Sequence, residues 1–95
     1  MKILINGKTY PCYLVMGAFL LFKRETGKDV SQLKQENLED LLMLMWCCVK
    51  CSAQAAGQEF PLDFETFCNT ITPDMLAQWN RQISSMDEKK MTNKT

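Results

Sequence analysis

The sequence predicts a mainly α domain in which an N-terminal β-hairpin and about four helices pack around one central apolar helix, Leu38–Ala56. Three observations carry this reading. Leu41 to Val49 (LLMLMWCCV) has no polar side chain apart from the Trp46 indole N–H and the weakly polar thiols. A surface helix keeps one face polar, so an all-apolar run of this length must be covered on nearly every side. Asn6-Gly7, set between two short apolar runs, is the dipeptide of a two-residue hairpin turn whose central residues both take positive φ. Apolar residues also recur at helical spacing after three N-cap signals, at Asn37, Asp63 and Thr72-Pro73.

The hairpin is expected over residues 2–14. Ile3 and Ile5 alternate with Lys2 and Leu4, while Tyr10, Cys12 and Leu14 share one face of the return strand. Pro11 cannot donate to a ladder, so this strand is an edge or carries the Pro11 nitrogen outward. A hairpin this small is not stable alone and must lie against the helices. The first helix spans residues 16–26, with Met16, Phe19, Leu20 and Phe22 as its apolar residues. Lys23 and Arg24 face the negative end of its dipole, and Gly27 is the C′ stop. A connector with one turn at Gln32 to Gln35 leads to Asn37. Asn37 caps the second helix (residues 38–56), Glu39 and Asp40 occupy its first turn, and it ends at Gly57. Phe60-Pro61-Leu62 is an extended link that places its Phe in the core.

Asp63 caps a third helix, residues 64–71, in which Phe64, Phe67, Cys68 and Ile71 fall at i, i+3, i+4 and i+7. Thr72-Pro73-Asp74 starts a fourth over residues 73–86, with Pro at the first helical position. Leu76, Trp79, Ile83 and Met86 form its buried stripe, and Gln78, Asn80, Arg81 and Gln82 face water. Residues 1–86 thus make a single domain, and the polar segment 87–95 (DEKKMTNKT) reads as a disordered tail.

Composition excludes several functions. Eleven basic residues against eleven acidic ones leave no surplus of positive charge to neutralise phosphates, which argues against a nucleic-acid partner. The central apolar run stops at Asp40 and Lys50, far short of the roughly 20 residues that span a bilayer. The first residues, MKILINGKTY, lack a signal-peptide pattern, so the chain is expected to stay in the cytoplasm. There is no histidine, which removes Cys-His and Ser-His catalytic pairs. Acidic residues fall at helix starts or on solvated faces; Asp63 and Asp74, the nearest to a pair, each have a local role at a helix N-terminus. The four glycines are dispersed and cradle no phosphate. The expectation is therefore no enzyme, no catalytic or metal-binding residue, no cofactor and no small-molecule substrate.

Five cysteines, Cys12, Cys47, Cys48, Cys51 and Cys68, are an odd set without a secretory signal, which disfavours a disulfide framework. Cys48-Val49-Lys50-Cys51 is formally C-x-x-C. A zinc site needs four ligands, however, and this pair lies inside an apolar helix, where thiolates are not stabilised. The cysteines read as small core hydrophobes. Of the seven methionines, Met43 and Met45 read as core filler. Part of the apolar girdle can remain for a second copy or a client helix.

Asn6-Gly7-Lys8-Thr9-Tyr10-Pro11, Leu14, Met16-Gly17-Ala18 and Phe22-Lys23-Arg24-Glu25-Thr26-Gly27-Lys28-Asp29 together resemble the small tail assembly chaperones of long-tailed phages and gene transfer agents. The resemblance continues through Leu41-Leu42-Met43-Leu44-Met45-Trp46, Glu59-Phe60, Phe64-Glu65-Thr66-Phe67 and Thr72-Pro73-Asp74, and covers about residues 3–86. It is carried by the order and spacing of these motifs, and implies a prophage protein without catalytic activity. Such a protein binds the long helical tape measure protein in the host cytoplasm and keeps it soluble until the tail tube polymerises. It is absent from the mature virion, and many members come in a short and a longer, frameshifted form. The resemblance assigns client contacts to no particular residue. The alternative reading is a small helical DNA-binding or regulatory adaptor of phage origin; against it, Leu76 to Met86 offers Arg81 as the one basic residue of a would-be recognition helix.

Overall fold

The computed structural model describes residues 2–34 and 36–82. The chain folds as a mainly α unit behind an N-terminal hairpin. The hairpin pairs β1 (Lys2–Ile5) with β2 (Lys8–Pro11), antiparallel. Asn6 and Gly7 join them at φ 52° and 77°, the left-handed pair that a two-residue turn requires. The register sets Ile5 opposite Lys8 and Ile3 opposite Tyr10. With the pair flanking the turn hydrogen-bonded, alternation leaves Lys2–Pro11 a non-hydrogen-bonded pair, so the missing Pro11 N–H breaks no ladder bond. β2 ends at Pro11, short of the Leu14 expected from alternation. Cys12 is still buried on the same side as Ile3, Ile5 and Tyr10.

Helix α1 (Met16–Thr26) closes on Gly27 at φ 76°, whose N–H bonds the Lys23 carbonyl at 2.7 Å in a left-handed cap. Its buried side chains are Ala18 and Phe22, one turn apart and facing helix α2. Met16 and Leu20, two of the apolar residues of the expected helix, are 70% and 65% exposed. Ala18 and Phe22 take the inner line instead, and residues 16 and 20 lie on a different stripe of the same helix. One 3-10 turn, Val30–Gln32, follows. It comes earlier than the expected turn at Gln32 to Gln35 because Asp29 starts it: the Gln32 side chain accepts from the Asp29 N–H at 2.8 Å. Gln35 itself lies outside the described residues.

Helix α2 (Leu38–Ala55) is the centre of the molecule, in contact with α1, β2 and the third helix. Asn37 caps it by accepting from the Asp40 N–H at 3.3 Å. Gly57, at φ 73°, ends it with paired bonds from the Gly57 N–H to the Gln54 carbonyl and from the Gln58 N–H to the Ala53 carbonyl. Within the apolar run only Leu42 and Met43 are incompletely buried. The Trp46 indole N–H, the run's polar group, donates to the Leu62 carbonyl at 3.1 Å, and the Lys50 ammonium lies over its ring at 4.7 Å. Phe60 plugs the link into the core, edge-on to Tyr10 at 5.1 Å and to Phe67 at 6.1 Å.

Helix α3 (Phe64–Thr70) is capped by Asp63, which accepts from the Thr66 N–H at 2.8 Å. Phe67 is fully buried and Phe64 packs edge-on against Trp46. Ile71 is extended and leaves the helix one residue earlier than its stripe suggests. Helix α4, residues 73–82 as described, starts at Thr72, whose hydroxyl accepts from the Met75 N–H at 3.3 Å. Its Trp79 is buried and reaches the Cys12 thiol of the hairpin arm. Ile83 and Met86, the rest of the expected stripe, and the tail 87–95 lie outside the described residues.

Candidate binding groove

The all-apolar helix is not covered equally along its length. Around Trp46 to Val49 the hairpin, α1 and α3 enclose it. At its first turns, cover comes from the end of α3 and from α4, and these leave an apolar groove of about 290 Å³. Leu38, Leu41 and Leu42 of α2 form one wall. Cys68 and Ile71 at the end of α3 and Leu76, Ala77 and Asn80 of α4 complete the lining. Leu38 is 58% exposed at the mouth. Asn80, expected to face water, is half-buried here, because Trp79 turns towards the hairpin and brings the next residue round to the groove.

A half-buried ion pair forms at the start of α2. Asp40 is 6% exposed, and both its carboxylate oxygens accept from the Lys28 ammonium, at 3.0 and 3.2 Å. The sequence suggests only a first-turn acid for Asp40. Its burial depends on the connector after Gly27 carrying Lys28 across the start of α2.

A second groove, of about 440 Å³, runs between α1 and α2 past Leu20, Arg24, Glu25, Lys50 and Cys51. Cys48 of the C-x-x-C is fully buried and Cys51 half-buried at this groove's floor. Burial pushes the Cys48 thiol well above its usual range, with Cys12, Cys47 and Cys51 adding to the effect. Burial also raises Cys51, against the pull of Lys50 and Arg24. Cys12 and Cys47 are pushed up to about 12, again chiefly by burial. Held protonated in this way, the thiols behave as apolar groups. No group of three His, Cys, Asp or Glu side chains comes together around a metal-sized space among the described residues. Asp63 and Asp74 remain separate: the bonds from Thr66 hold the Asp63 carboxyl below its usual range, as its capping role requires, and Asp74 is exposed in the first turn of α4.

Fold and groove together define a small helical module with an apolar cleft at one end of its core helix. The sequence matches no protein-family model, and no curated protein or solved structure matches it. Among the described residues, no helix is long and apolar enough to cross a membrane.

Proposed function

We propose that this protein is a non-catalytic tail assembly chaperone that binds the tape measure protein and keeps it soluble during tail morphogenesis. It acts in the host cytoplasm and leaves before the virion is complete. The observation that carries this reading is the groove at Leu38, Leu41 and Leu42: an apolar cleft along the core helix is suited to an amphipathic helix laid in with its apolar face down. The motif order behind the resemblance supports it as well. Asn6-Gly7 is the hairpin turn, Glu25-Thr26-Gly27 ends α1, Leu41 to Trp46 lies in the core helix, and Thr72-Pro73-Asp74 begins α4. A tape measure protein is long and helical, and with no tail tube around it its apolar stripes need cover. Coexpression with the tape measure protein of the same phage tests the assignment. The client moves into the soluble fraction and co-purifies with the chaperone; a client that stays as insoluble as when expressed alone refutes it.

A further inference from the structure

We propose that the groove selects helices in which lysine or arginine flanks the apolar anchors, so that charge chooses the client segment and apolar burial holds it. The inference rests on the client-binding reading above and adds the chemistry of the segment taken. Among the described residues, the lining has no charged side chain; its polar groups are Thr72 and Asn80. The rim does carry charge. Glu39 follows Leu38, Glu65 stands one turn before Cys68, and Asp74 follows Pro73, all three exposed. The thiol of Cys68, a lining residue, is raised first by burial and then by the charges of Glu39 and Glu65. Arg81, beside Asn80, is the one cation adjoining a lining residue in sequence, and Lys28 is held by Asp40. Among the described residues, three carboxylates against one guanidinium make the mouth acidic.

A basic amphipathic helix therefore meets complementary charge on both sides of an apolar floor, and an acidic one meets repulsion. Exposed ion pairs are individually weak and screened by salt, so three of them amount to about tenfold in affinity at low ionic strength. Charge of this kind acts on selection and association rate more than on ultimate tightness.

Two fluorescein-labelled synthetic helices with the same leucine and alanine face test the idea, one with lysine and the other with glutamate on its polar positions. Titrated against the full chain at low salt, the lysine helix is expected to bind about tenfold more tightly, with the gap closing as salt screens the rim. Glu39→Lys with Glu65→Lys removes or inverts the preference; both side chains are exposed, so the fold is kept, and thermal unfolding falls only by the loss of two first-turn charges at the starts of α2 and α3. Leu42→Glu, at a half-buried lining position, weakens both helices. Equal affinity for the two peptides overturns the proposal, as does a preference that survives the double charge variant. An increase of tenfold or more in lysine-helix affinity on Ile83→Asp also overturns it, by pointing to the chain's own residues 83–95 as the occupant. So does a dimer that Leu42→Glu dissociates, which points to a second copy. If the tape measure protein is solubilised while the peptides bind equally, the charge rule fails and the chaperone reading stands; selective peptide binding without client solubilisation gives the converse.

Discussion

Ser52 joins helix α2 to the arm that leads from the hairpin to α1. It is buried in the last third of α2. Its hydroxyl accepts from the Tyr13 N–H at 2.9 Å and donates to the Tyr13 carbonyl at 3.2 Å. Ser52→Ala removes both bonds, but their consequences differ. The Tyr13 carbonyl keeps a second partner, the Val15 N–H at 3.0 Å, whereas the Tyr13 N–H is left with none among the described residues. An orphaned buried donor costs about 1–3 kcal/mol, and the partial exposure of this site favours roughly 2. Alanine recovers about 0.5 kcal/mol through its higher helix propensity, leaving a net loss of about 1.5 kcal/mol. For a domain of this size that corresponds to a fall in Tm of roughly 6–12 °C. Thermal unfolding followed by circular dichroism reads the loss, and amide exchange at Tyr13 reads its location. A fall in Tm below about 2 °C with unchanged exchange at Tyr13 would refute the reasoning, since water would then replace the hydroxyl without penalty.

Other consequences follow from the same structure. Cys12 and Cys47 ionise near 9 when unfolded and near 12 when folded, and burial moves Cys48 the same way, so the folded state holds these protons longer. Their contribution is intact below pH 9 and is lost as pH rises towards 12. By pH 10 each shifted thiol removes about 1.4 kcal/mol, so urea midpoints at pH 7.5, 9 and 10 should fall progressively, and a flat series contradicts the burial. In a thiol-labelling assay of the native protein at pH 8, Cys12, Cys47 and Cys48 remain unmodified until denaturant is added; rapid labelling of any of them counts against their place in the core. Lys28→Met leaves the Asp40 carboxylate without its cation, and the half-exposure of Lys28 limits the loss to about 1 kcal/mol, measured as a coupling with Asp40→Asn that weakens in salt. Gly17→Ala stabilises by about 0.5 kcal/mol, because a Cβ there meets Cys51 Sγ at an ordinary 3.5 Å and backbone entropy is removed from the unfolded chain. Gly27→Ala at φ +76° destabilises by about 1 kcal/mol, so the two substitutions should move the urea midpoint in opposite directions.

Local chemistry was legible in the sequence wherever one or two residues dictate the backbone. Asn6-Gly7 reads as the hairpin turn because both residues accept positive φ, Gly27 and Gly57 end helices for the same reason, and Asn37 and Asp63 cap through side chains that reach their own helix. Leu41 to Val49 reads as the core helix because no solvated face could be drawn on it. What periodicity could not supply was which of several apolar lines a short helix turns inward. In α1 the residues Met16, Phe19, Leu20 and Phe22 are all candidates, and the structure buries Phe22 together with the small Ala18 while leaving Met16 and Leu20 outside.

The sequence by itself determined the elements, their order and the need to enclose one helix, since these follow from propensity, capping and hydrophobic pattern over a few residues. The groove was beyond its reach. It exists because Trp79 turns to the hairpin, Asn80 rotates to the start of α2, and α3 stops at Thr70 before covering Leu38 and Leu42. The Lys28–Asp40 pair and the Ser52 clamp on Tyr13 likewise join residues 12 and 39 positions apart. Such features depend on how helices are set against one another, and packing between distant residues decides that, not any local pattern.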